Sequence, residues 1–227
     1  MNLRQFKSAF SKVKKQGWVK SKRKGPTGVG HTLEQLIGLK ENNIASPDLG
    51  EIELKAHRIN SSSMITLFTF NRKVWKMKPL EAVQNYGTLD KNGRQGLYFT
   101  MSLKPNSSGL FLLVEHDAIS VRHISGKIVA EWQMEALAKQ FSKKVPALLL
   151  VSAFSEMRGD NEWFRYDRAR LLSGTSPEII SGQVYAGNVV FDLRLETRVS
   201  NEEARFVVND EYCGDLFKNC EELYGQN

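Results

Sequence analysis

The chain has 227 residues, 41% apolar and 25% charged, which is long enough to bury a substantial core and unlike the composition of a disordered polypeptide. No uninterrupted apolar run approaches the roughly 20 residues that a membrane helix requires. The opening MNLRQFKSAFSKVKKQGW also lacks the long apolar stretch of a secretory signal, so a cytoplasmic protein with no membrane partner is expected. The net charge of +7 is local, because residues 1–24 hold nine Lys or Arg and no acid. Such a concentration suits phosphate contact, with a solvated helix face as the alternative reading.

In chain order, Leu3, Phe6, Phe10 and Val13 recur every three to four positions and predict a basic amphipathic helix over 3–16, ending near Gly17. KSKRKGPTGVG, residues 20–30, reads as a loop with exposed backbone N–H groups, able to hold phosphates. Thr32-Leu33-Glu34-Gln35 reads as a capping box that opens a helix ending between 39 and 42. Pro47-Asp48-Leu49-Gly50 is a turn. From Glu51 to His57 polar and apolar residues alternate, which predicts a half-buried strand with Glu51, Glu53, Lys55 and His57 on one face. MITLFTF, over 64–70, predicts a second strand able to pair with it. Further strands are expected over 97–103, 109–115, 118–124, 127–132, 147–153, 163–167 and 189–195, and helices over 134–141, 177–186 and 211–223. The last of these would carry both cysteines, Cys213 and Cys220, on one face as small buried thiols, without zinc-ligand partners. The mixture predicts an α/β or α+β fold with a mixed β-sheet flanked by helices.

Hydrolysing a phosphodiester at neutral pH calls for a hard cation that activates water and neutralises developing charge, held by one or two carboxylates and substrate oxygens. Asp48, on the turn, and Glu53, inward on the strand, can supply those carboxylates to one Mg²⁺ ion. Lys55 follows on the same face, about 7 Å along the strand, where an ammonium can orient the attacking water or stabilise the charged transition state. The Asp-x4-Glu-x-Lys spacing alone is common. Its context is more specific: a Pro-Asp turn, an alternating strand, a basic loop, and a helix carrying Glu34. This arrangement resembles the PD-(D/E)xK nuclease core.

The resemblance extends beyond the core. GWVKSKRKGPTGVGHTLEQLIGLKENNIASPDLGEIELKAH is similar to the active-site region of the MvaI/BcnI restriction endonucleases, relatives of the mismatch-repair nickase MutH. Similarity continues through MITLFTF, NYGTLDKNGRQGLYF, VPALLLVSAFSEMRGDNEWFRYDRARLL and GNVVFDLRL. It implies a monomeric, two-lobed, Mg²⁺-dependent type II restriction endonuclease that closes around double-stranded DNA and cuts at a short recognition sequence, with a cognate DNA methyltransferase in the host. Asp48, Glu53 and Lys55 fall on the family's catalytic positions, and Glu34 on an acidic helix position beside them. The implied layout is one nuclease chain with a basic arm and loop over 1–30, a catalytic core over about 31–75, and the remaining sheet and DNA-recognition lobe over about 76–227. A MutH-like strand-nicking enzyme and a catalytically idle DNA-binding module are the alternatives. Two carboxylates close to phosphates would repel the ligand of a pure binder.

The loop residues Lys22, Arg23, Lys24, Thr27 and Gly28 are the expected contacts to the DNA backbone. His31, before the helix start, is open to phosphate contact or to capping. His57 is open to a phosphate or metal-bound water, or to a buried hydrogen bond, and Glu51 to a secondary role. After FDLRLETR the chain departs from the family: base-reading histidines in a longer loop give way to VSNEEARFVVND, and no histidine follows His123. Arg194, Arg198 and Asn201 are the candidate substitutes for base readout, against the alternative of a solvated strand end. Trp75 among Lys73, Lys76 and Lys78 suits either a DNA-facing arm or a surface loop. Trp163 and Phe164 are expected in a strand core, with Arg165 and Arg168 beside them facing nucleic acid. Glu115-His116-Asp117 reads as a solvated hairpin turn.

Overall fold

The computed structural model describes residues 1–39, 49–59, 61–71, 73–196 and 203–225. In chain order its elements are α1 (Leu3–Gln16), β1 (Val19–Lys20), α2 (Gly28–Ile37), β2 (Ile52–Arg58), β3 (Ile65–Thr69), α3 (Pro79–Tyr86), β4 (Thr88–Leu89), β5 (Gln95–Met101), β6 (Leu110–Val114), β7 (Ala118–His123) and β8 (Ile128–Gln133). There follow α4 (Met134–Lys144), β9 (Ala147–Arg158), β10 (Asn161–Ser173), α5 (Pro177–Tyr185), β11 (Val189–Glu196), β12 (Glu203–Val208), the short α6 (Asp210–Cys213) with a 3₁₀ turn, and β13 (Asn219–Tyr224). The mixed α+β class expected from the sequence is the one observed.

The elements fall into two compact units, each drawn from separate stretches of chain. The first comprises residues 1–63, 142–174 and 217–227, and the second residues 64–141 and 175–216. The continuous division expected from the sequence, at about residue 75, therefore differs from the observed one. Long-range strand pairing returns β9, β10 and β13 to the unit that begins with α1.

In the first unit a mixed sheet runs β1-β10-β9-β2, with β13 also on β10. β9 is its axis: Leu148, Leu149, Leu150 and Val151 are all fully buried, as expected for a strand covered on both faces. It pairs antiparallel with β10 and parallel with β2. On one side of the sheet Leu54, Leu149, Val151, Phe164 and Ala169 meet Phe6, Phe10 and Val13 of α1 and Val29, Leu33 and Ile37 of α2 in one core. The predicted first helix is present to the residue. Asn2 accepts from the Gln5 backbone and Gln5 returns a bond to the Asn2 N–H, each at 2.9 Å, forming a capping box. α1 is a packed helix and not a free arm: Lys14 lies 3.9 Å from Asp167 and Lys7 lies 3.6 Å from Glu221.

The second unit holds a sheet in the order β3-β12-β11-β5-β4 and a three-stranded sheet β6-β7-β8. β3, the MITLFTF strand, pairs with β12 and not with β2, so the expected pairing of these two strands is corrected. β2 takes its partner from about a hundred residues further on, because β9 offers an apolar edge that can be buried on both faces. Residues 115–117 form the expected turn between β6 and β7. Trp75 bridges to Ala130 and Lys76 pairs with Glu131 at 3.0 Å, so this cluster is tied to β8.

The predicted C-terminal helix over 211–223 is the clearest correction. The helix stops at Cys213, a 3₁₀ turn covers Gly214–Leu216, and Asn219–Tyr224 becomes a strand on β10. An open sheet edge competes for this segment and wins over its helical spacing. Cys213 is buried and Cys220 exposed, so they do not share a helix face. β1, α3, β4, β12 and β13 were not anticipated from the sequence.

Candidate active site

The parallel register of β2 on β9 sets Glu53 beside Leu148, Lys55 beside Leu150 and His57 beside Ser152. The alternation read from the sequence holds, with Leu54 and Ala56 turned toward the helices on the opposite face. Glu53 is only 5% exposed, and burial at that level requires a partner for its carboxylate. Lys55 supplies it, with Nζ 2.7 Å from Glu53 Oε1 and a side chain 30% exposed. The ammonium thus touches the carboxylate and still reaches solvent. His57 is 7% exposed, and its Nε2 shares a hydrogen bond of 2.8 Å with Ser152 Oγ. Of the two readings left open for His57, the buried hydrogen bond is the one observed.

A groove of about 260 Å³ opens beside Lys55, lined among others by Arg23, Thr27, His31 and Glu34. Five of the expected site residues therefore meet there. Lys22 and Lys24 instead line a neighbouring cavity of about 400 Å³, again with Arg23, between the loop and the β9–β10 hairpin. Glu51 is exposed. Asp48, Arg198 and Asn201 lie outside the described residues. Arg194 lies on β11 against Asp192, at 2.9 Å. Arg168 is held by Glu222, its Nε and Nη2 donating at 2.8 and 2.6 Å. Arg165 stacks 4.4 Å from the Phe154 ring centroid. Phe164 is fully buried, as expected of a strand core, whereas Trp163 is half-buried and carries Arg158 at 4.7 Å.

The loop differs from the expectation in one respect. α2 begins at Gly28, so Thr32 and His31 lie inside the helix and the Thr32-to-Gln35 capping box does not form. Thr32 is fully buried and its Oγ1 accepts from the Lys22 N–H at 2.9 Å. The Arg23 N–H turns to Ser21 Oγ at 3.4 Å, and the Gly28 N–H to the Gly25 carbonyl at 3.0 Å. Several N–H groups that looked exposed in the sequence are thus used to fold the loop onto the helix. His31 pairs with Gln35 at 3.0 Å, one helical turn on. Below them the Tyr166 hydroxyl, fully buried, donates to the Val29 carbonyl at 2.6 Å. Burial pushes this phenol far above the ordinary tyrosine value, only partly offset by the Arg58 charge and local hydrogen bonds.

The donor chemistry fits a hard divalent cation. The carboxylates here are Glu53 and Glu34, both oxygen donors, while neither cysteine lies on these elements. Among the described residues no group of three His, Cys, Asp or Glu converges, and Asp48 is outside them.

A mixed sheet carrying an acid and a lysine two residues apart on one strand face, flanked by helices, has the architecture of a PD-(D/E)xK core. The model of the MvaI/BcnI restriction endonuclease family matches residues 7–215, and the chain belongs to that family. It is accordingly a type II restriction endonuclease, of a family that generally uses a divalent metal. The fold is similar to that of restriction endonuclease MvaI in complex with its cognate DNA substrate, with a TM-score of 0.81 at 22% identity over 98% of this chain and 99% of that one. It is also similar to MvaI in the absence of DNA, with a TM-score of 0.56 at 22% identity over 97% of each chain. Among curated proteins none matches the chain.

Sequence reading missed Arg58, Ser152, Glu162 and Tyr166. Arg58 stands next to His57 on the opposite face of β2, and the others lie about a hundred residues away, so no local spacing could have revealed them.

Proposed function

We propose that the protein is a Mg²⁺-dependent endonuclease that cleaves double-stranded DNA at a short recognition sequence, acting as a cytoplasmic monomer beside a cognate methyltransferase that protects the host. The observation that carries this reading is the Glu53–Lys55 ion pair at 2.7 Å on β2, next to a groove whose wall is the basic loop and Glu34. Asp48 and Glu53 are the proposed metal carboxylates. Bound there, Mg²⁺ would lower the proton affinity of a water and offset charge on the scissile phosphate.

The side chains do the rest. Glu53, held by Lys55 and by the sheet, presents its carboxylate in one orientation. Lys55, partly open to solvent, orients the attacking water and gives its positive charge to the phosphate oxygens as the P–O bond breaks. Lys22, Arg23, Lys24, Thr27, Gly28 and His31 hold the DNA backbone, and Arg198 and Asn201 are proposed for base contacts. Glu34 and His57 support the site, His57 through Ser152.

Incubating the protein with plasmid and phage DNA, in Mg²⁺ or in EDTA and alongside Lys55→Ala, tests this directly. Discrete Mg²⁺-dependent fragments from the wild type alone, with common ends on sequencing, are expected. Nicked circles without linear product would favour the strand-nicking reading, and intact but gel-shifted DNA would sink the nuclease reading.

A further inference from the structure

Arg58 lies at the end of β2 and shares the face of Leu54 and Ala56, opposite to Lys55. Four of the five N–H donors of its guanidinium are engaged. Nε donates to Glu162 Oε1 at 2.6 Å and Nη2 to Oε2 at 2.8 Å, while Nη1 donates to the Pro26 carbonyl at 2.9 Å and Nη2 also to the Gly25 carbonyl at 3.0 Å. The flat group sits 5.2 Å from the centroid of Phe164. Both charges are sheltered, Arg58 at 17% and Glu162 at 22% side-chain exposure. Glu162 grips the loop a second time, since its carbonyl accepts from the Ser21 N–H at 2.8 Å. Arg58 therefore ties the loop at Gly25–Pro26 to the end of β2, three residues beyond Lys55, while the Glu162 backbone ties it at Ser21 to β10.

We propose that Arg58 and Glu162 are positioning residues: they lock the 21–27 loop to the strand that carries Glu53 and Lys55, so that Lys22, Arg23 and Lys24 meet DNA phosphates in register with the site of cleavage. This rests on the reading above that the loop holds the DNA backbone. The requirement is for a fork and not merely a cation. A lysine ammonium cannot span two carboxylate oxygens and two carbonyls from one position. A salt bridge that served only to stabilise the fold would have no need to end on two loop carbonyls.

The test is DNA binding in EDTA, by fluorescence anisotropy over a range of salt, on a duplex carrying the site found in the wild-type digest. Arg58→Lys and Glu162→Gln are expected to weaken binding roughly tenfold and to flatten the salt dependence by one or two phosphate contacts. Saturating enzyme should restore single-turnover cleavage to within about fivefold. Lys55→Ala, measured alongside, should stop cleavage and leave the salt slope unchanged. If Arg58→Lys melts below the assay temperature, Glu162→Gln, which keeps the side-chain shape, carries the test. Unchanged affinity and slope in a folded variant would overturn the proposal, as would a lost folded fraction whose remainder binds like wild type. Those outcomes leave the nuclease reading intact, whereas a wild type that cuts no DNA sinks that reading itself.

Discussion

Replacing Gly28 with alanine should damage this protein more than its position in a helix suggests. A methyl group on Gly28 would stand 2.4 Å from the Arg23 carbonyl oxygen and 2.9 Å from Ser21 Oγ, against the 3.4 Å or more of ordinary contact. The Arg23 carbonyl must then retreat by about 1 Å, yet it already accepts from Ser21 Oγ at 2.6 Å, and Ser21 is tied to Glu162. Overpacking of this kind costs about 1–3 kcal/mol. Exchanging glycine for alanine in a helix returns up to about 1 kcal/mol, and less in the first turn. The net loss of about 1–2 kcal/mol corresponds to a fall in Tm of roughly 2–8 °C for a chain of this size. If the loop holds the phosphate backbone, displacing it by about 1 Å should also weaken DNA binding roughly tenfold and slow single-turnover cleavage at subsaturating enzyme to the same extent. Calorimetry and a quenched-flow digest measure the two effects. A variant as stable as wild type that cleaves at the wild-type rate would refute the argument that Ser21, Arg23 and Gly28 form one tight turn.

Tyr166 predicts an alkaline limit. Because burial raises its folded value, its contribution is complete below the ordinary 10.0 and is lost as pH rises above it; Tyr166→Phe should therefore show a shallower fall in Tm between about pH 9 and 11.5, and parallel curves would contradict this. Glu222 works in the opposite direction: its hydrogen bond to Arg168 lowers its folded value below the ordinary 4.5, so its contribution is present above that value and is lost as pH falls below it. Arg168→Met should lower stability by a small amount above about pH 4.5, given the exposure of the pair, and make its fall toward acid shallower, with no change at pH 7 in cleavage if Arg168 is structural. Ser152→Ala removes the Ser152 partner of His57 and should cost about 1–3 kcal/mol of unfolding free energy, measured by urea denaturation. Glu53→Gln should abolish Mg²⁺-dependent cleavage while DNA binding in EDTA stays within a few-fold of wild type. Retained cleavage in that variant would remove Glu53 from the site.

The sequence by itself determined the elements whose signals are local. α1 follows from Leu3, Phe6, Phe10 and Val13 at helical spacing, ending near Gly17. The alternation from Glu51 to His57 was enough to align Glu53, Lys55 and His57 on one strand face, because side chains on a strand must alternate. Membership of the restriction endonuclease family was legible in the same region. Tertiary structure decided everything that depends on a distant partner. It chose β9 for β2 in place of the adjacent MITLFTF strand, since β9 offers an apolar strand that is buried on both faces. It turned residues 219–224 from a helical pattern into a strand by presenting the edge of β10. It folded the basic loop onto Thr32, Arg58 and Glu162, since a sheltered guanidinium takes as many acceptors as it can reach. Those acceptors stand 32 and 104 residues away, a separation that no spacing rule along the chain encodes.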